Sequence, residues 1–129
     1  MKIVIETIPH TSQRYPTVGD WFTDEDGTLH IKVSDMQNAD YEFLVALHEL
    51  VEVKLCSGRG ISQEEVDEFD KQFEADRASG KHKPEDEPGD DFGAPYRDEH
   101  FFATNIERLV STELDVDWGL YAETVEAMP

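Results

Sequence analysis

The chain has 129 residues, enough for a single domain with a modest core and too few for two. It carries 11 Lys and Arg against 30 Asp and Glu. The resulting net charge of −19 excludes nucleic-acid phosphates and anionic lipid as partners held by charge. Apolar residues make up 38% of the chain and aromatics 10%, too many for a disordered acidic polymer.

One cysteine, Cys56, leaves no internal disulfide framework and no four-cysteine zinc site. The opening MKIVIETIPH has neither an h-region nor a small-residue cleavage site, and no apolar run approaches a membrane span. These features together predict a cytoplasmic protein with no membrane contact.

Residues 2–8 alternate, with Ile3 and Ile5 on one face and Val4 on the other, the pattern of a strand. Pro9 and Pro16 bracket a polar connection. Asp26-Gly27 lies between two strand-like runs, Trp21–Thr23 and Thr28–Val33, which predicts a hairpin. The first third therefore predicts a small antiparallel sheet of two or three strands.

Four helices follow in the expectation. The first runs from about Asp40 to Cys56 and stops before Gly58 and Gly60. The second starts at Ser62, whose partner Glu65 three residues on completes a capping box. It carries Val66, Phe69 and Phe73 inward as far as about Ala78. Residues 79–91 hold Gly, Pro and charges with no apolar side chain, and read as a flexible, solvated acidic loop. A third helix is expected from about Asp98 to Glu113, and a fourth from Trp118 to Met128 with Trp118, Tyr121, Val125 and Met128 on one stripe. Strands segregated from helices make this an α+β domain, residues 1–129.

Polar residues interrupt two of the apolar stripes. At ~100° per residue, His48 lies in the middle of the first helix's stripe, between Leu44, Leu55 and Val51, and Glu52 lies only ~40° away. Glu49 falls at the stripe's edge. An unpartnered buried imidazole costs about 1–3 kcal/mol and an unpartnered carboxylate more, so something must compensate. Either the two side chains hydrogen-bond each other and a core neighbour, or they hold a metal ion, since residues at i and i+4 stack one turn apart.

On the third helix, His100 and Glu107 flank the stripe of Ala103, Ile106, Val110 and Leu114. Seven residues separate them by ~10.5 Å along the axis, so one is expected to ligate and the other to orient. His100 is the preferred ligand. Asp70 leans toward the apolar side of its own helix and offers a further carboxylate. Cys56 reads as a core cysteine.

The stretch TLHIKVSDMQNADYEFLVALHELVE, residues 28–52, resembles the active-site region of zincin metallopeptidases, in which an edge strand precedes a helix bearing His-Glu-x-x-His. The resemblance implies His48 as a zinc ligand and Glu49 as the base that activates zinc-bound water, with Glu52 standing where the family has its second histidine. It also implies a third ligand from a later helix, a role open to His100 or Glu107. HELVE, the EPGDD loop and APYRDEH taken together also resemble small proteins encoded by tailed phages.

The leading expectation is a divalent-metal site, zinc first, of His48, Glu52 and His100 or Glu107, with Glu49 as the catalytic residue of a hydrolase. One alternative is a DNA-mimicking inhibitor of a basic host protein, presenting Asp24–Asp26, Glu64–Asp70 and Glu85–Asp91 as an acidic array. Another is a helical nucleotide pyrophosphatase using Glu49/Glu52 with Glu64/Asp67 for magnesium.

Overall fold

A computed structural model describes residues 1–128. Three strands, β1 (Ile3–Ile8), β2 (Gly19–Thr23) and β3 (Leu29–Ser34), precede four helices, α1 (Ala39–Gly58), α2 (Gln63–Ala78), α3 (Arg97–Glu113) and α4 (Trp118–Glu126). The α+β class and the element order match the expectation. Short 3₁₀ turns lie at His10–Ser12 and Pro88–Asp90. Among the described residues no helix is long and apolar enough to cross a membrane.

The sheet is mixed, where an antiparallel one was expected. Its order is β1-β3-β2, with β1 parallel and β2 antiparallel to β3. The hairpin is as read: Asp24 accepts from Gly27 N, its side chain accepts from Asp26 N and Thr28 N, and Gly27 takes a left-handed φ of +81°. The departure lies in the 9–18 connection. It is too long for a tight turn and passes across the end of β3, where Ser34 N donates to Val18 O and Gln13 reaches Lys32 O and Ser34 Oγ. β3 thus becomes the central strand, with Ile31 and Val33 fully buried. The strand at 28–33, expected from the zincin resemblance at an edge, is therefore central, and β1 and β2 form the edges.

Local chemistry sets the helix ends. Asn38 caps α1 by accepting from Asp40 N and Tyr41 N. The capping box of Ser62 and Glu65 is formed at α2, and Asp117 caps α4. Leu44, Val53 and Cys56 of α1 join Ile31 and Val33 in the core. α3 packs along α1, and Ala103, fully buried between His100 and Glu107, keeps that seam narrow.

Candidate metal centre

The α1–α3 seam brings His48, Glu52, His100 and Glu107 together, all four buried. His48 Nε2 lies 3.1 Å from Glu52 Oε2 and 3.1 Å from His100 Nδ1, and His100 Nδ1 lies 3.2 Å from Glu52 Oε2. Three donor atoms therefore form a nearly equilateral triangle. A tetrahedral zinc site, with ligands at about 2.0–2.2 Å, spaces its donors by ~3.3 Å. The triangle has the size of one face of such a site.

Each triangle atom is aimed by a partner behind it. His48 Nδ1 is 2.8 Å from Glu107 Oε1, and the other Glu107 oxygen accepts from Tyr121 OH. Glu52 Oε1 accepts from Trp21 Nε1 at 3.3 Å. His100 Nε2 faces Glu87 Oε2 at 3.2 Å and Asp90 Oδ1 at 3.4 Å. Carboxylate acceptors behind both rings assign a proton to His48 Nδ1 and to His100 Nε2. In the neutral rings this leaves the lone pairs of His48 Nε2 and His100 Nδ1 pointing inward, as in carboxylate–histidine–metal arrangements. Glu107 is thus brought to the site but stands behind His48 rather than in the triangle.

Two charge states fit this triangle. Ionised Glu52 only accepts, and each inward imidazole nitrogen either donates or accepts. With both rings charged, His48 Nε2 and His100 Nδ1 both donate to Glu52 Oε2, which leaves two imidazolium nitrogens 3.1 Å apart. With both rings neutral and their outer nitrogens protonated, three lone pairs face one another, and a cation on the triangle's axis satisfies all three atoms at once.

The charge states of the metal-free protein follow the same geometry. Burial works against a charge on His48, but Glu107 and Glu52 outweigh it and push its pKa up to about 10. Burial likewise opposes His100, while Asp90, Glu52 and Glu87 carry it up to about 12. Burial would raise Glu52, but the two imidazoles overcome that and hold it well below the usual carboxylate range.

The triangle opens onto a cavity of about 370 Å³ between β2, α1, α2, α3 and α4. Glu49 lines this cavity, and its side chain makes no hydrogen bond to the described residues. Gly19 of β2 makes room for it: a Cβ there would lie 2.7 Å from Glu49 Oε1. Burial and the charge of Glu52 raise the Glu49 pKa well above the carboxylate range, partly offset by His48.

Asp70 does not join the triangle. It accepts from Tyr15 OH at 3.1 Å and from Tyr96 OH. Asp67 is bound by Arg14, which also grips Asp20, and Glu64 is exposed. The four carboxylates of the pyrophosphatase pairing therefore do not converge. Several acids of the DNA-mimic array also have partners within the fold: Asp70 is buried against the tyrosines, Glu87 and Asp90 contact His100 while staying exposed, and Asp24 bonds its own turn.

Four contributors escape sequence reasoning. Glu87 and Asp90 belong to the acidic loop, where charge without apolar residues reads as solvated. Tyr121 and Trp21 read as core aromatics, because periodicity cannot see a hydroxyl or an indole N–H aimed at a carboxylate.

No family model matches the chain, and no curated protein or solved structure is found similar to it. The functional reading therefore draws on the site's own geometry.

Proposed function

We propose that this protein is a metal-dependent hydrolase with one divalent ion, zinc by donor chemistry, on His48 Nε2, Glu52 Oε2 and His100 Nδ1. The observation that carries the reading is the buried triangle of two imidazole nitrogens and one carboxylate oxygen, 3.1–3.2 Å apart, with each side chain held by a partner of its own. Two imidazoles and one carboxylate, with a fourth position open to a cavity, suit a catalytic rather than a closed structural zinc site. Relative to the zincin pattern, the helix supplies the carboxylate at its second ligand position and α3 supplies the second imidazole.

A bound ion would supply polarisation of a carbonyl oxygen and a lowered pKa for a bound water. The chain's residues divide the remaining work. Glu49, beside the triangle in the cavity, takes a proton from the attacking water and delivers it to the leaving group. Glu107 with Tyr121 fixes His48, and Trp21 turns Glu52 so that Oε2 faces inward.

The test uses zinc-loaded wild type and E49Q on ester and peptide substrates. Hydrolysis abolished by chelator, with E49Q retaining zinc but turning over about 10²–10⁴-fold more slowly, supports the reading. An E49Q protein as active as wild type, or a zinc-loaded wild type without hydrolytic activity, overturns it.

A further inference from the structure

The 79–91 segment has no apolar side chain to bury, yet it covers one side of the metal-ligand triangle. His82 stacks on Phe73 and Arg97 Nε donates to Asp90 O at 3.3 Å, but the densest attachment is one guanidinium. Arg77, in the last turn of α2, donates through Nε and Nη2 to the two oxygens of Glu74, at 3.0 and 3.2 Å. Nη1 donates to Lys83 O at 2.8 Å and Pro84 O at 2.7 Å, and Nη2 to Asp86 O at 2.5 Å. All five N–H groups of the arginine are used, three of them on loop carbonyls. A lysine, with three donors on one atom, cannot reproduce that fork.

Beyond this anchor the chain turns at Pro88–Asp90 and lies directly on His100. A Cβ at Gly89 would come within 2.4 Å of the His100 ring, so only glycine lets the backbone approach this far. On either side of Gly89, Glu87 and Asp90 place carboxylate oxygens at His100 Nε2. The path from Arg77 to the ligand is continuous: guanidinium, loop carbonyls, the Pro88–Asp90 turn, imidazole.

We infer that residues 83–90 form a strap that holds His100 in its ligating orientation, and that Arg77 is the positioning residue that fastens the strap. The inference rests on the metal reading and deepens it. Zinc affinity is set partly by an arginine that touches no ligand, and ion binding and strap order reinforce each other.

The experiment measures zinc affinity by chelator competition on the full chain for wild type, R77M, E87Q/D90N and the triple variant. It also measures hydrogen exchange of residues 81–90 with and without zinc. R77M and E87Q/D90N each lose about 10–100-fold in zinc affinity, the range for removing a group that orients a ligand. The triple variant loses little more than either, because both changes act through one strap. Zinc slows exchange in the strap of wild type and not in that of R77M.

Wild-type affinity in both R77M and E87Q/D90N overturns the inference, as does a triple variant whose losses simply add. If R77M fails to fold, G89A carries the same test by pushing the strap off His100: a loss of about tenfold or more supports the strap, and wild-type affinity contradicts it. A wild type that binds no zinc removes the metal reading and the strap's role with it.

Discussion

Two histidine–carboxylate groupings in this molecule differ in a way that separates a structural contact from a candidate site. In the hairpin, His30 Nε2 lies 2.8 Å from Asp24 Oδ2, partly exposed, with Phe22 stacked on the ring. One proton satisfies that pair. In the α1–α3 seam, His48, His100 and Glu52 form a buried three-membered set in which two imidazole nitrogens, 3.1 Å apart, converge on one carboxylate oxygen. Proximity of histidine to carboxylate is thus uninformative by itself. Two imidazole nitrogens converging on one carboxylate oxygen at ligand spacing, with each side chain held by its own partner, are what suit a cation.

The largest effect that can break this contrast comes from the triangle itself. H48A, H100A and E52Q should each lower zinc affinity by more than about 100-fold in a chelator-competition assay, whereas H30A should leave it unchanged. Loss of zinc in H30A, or its retention in H48A, would erase the distinction. L44A, one turn before His48 and fully buried, should cost about 3–5 kcal/mol in chemical unfolding but leave one zinc per folded chain. Its loss of zinc at full folding would make the site a by-product of core packing. E107Q, which keeps the shape behind His48 and removes the charge, should weaken zinc by about tenfold.

A smaller effect concerns Asp70, the acid that the fold keeps away from the triangle. Burial raises its pKa, the two tyrosines pull it back and Glu52 adds to the rise, leaving it at about 7 against an ordinary value of 3.8. The folded protein therefore binds more protons than the unfolded chain between these values. Asp70's contribution to stability is fully present below about pH 4 and is lost as pH rises to about 7. The metal-free D70N protein should lose less stability than wild type between pH 4 and pH 7, measured by urea unfolding. An identical pH dependence would contradict the assigned environment.

How much of this is legible without coordinates depends on the kind of signal. His48 and Glu52 are visible because they interrupt a helical stripe, and helical geometry alone puts them on one face. His100 and Glu107 are visible for the same reason, and the length of two helical turns between them already separates ligand from orienter. The capping box at Ser62 and the Asp-Gly turn at 26–27 are local chemistry and read directly. The pairing of β1 with β3 is not, because it depends on where the 9–18 connection runs rather than on alternation within strands. Glu87 and Asp90 are hidden for a related reason: the loop that carries them beside His100 is held by Arg77 and Arg97 through backbone carbonyls and by His82 on Phe73, contacts that carry no composition signal.

Zinc titration of chelator-stripped protein, followed by calorimetry and by melting temperature, tests the central claim most directly. One ion per chain, with protons released on binding and a higher melting temperature, is the predicted result. A flat titration with unchanged melting would contradict it and leave the triangle as a buried ion-paired cluster of two histidines and their carboxylates.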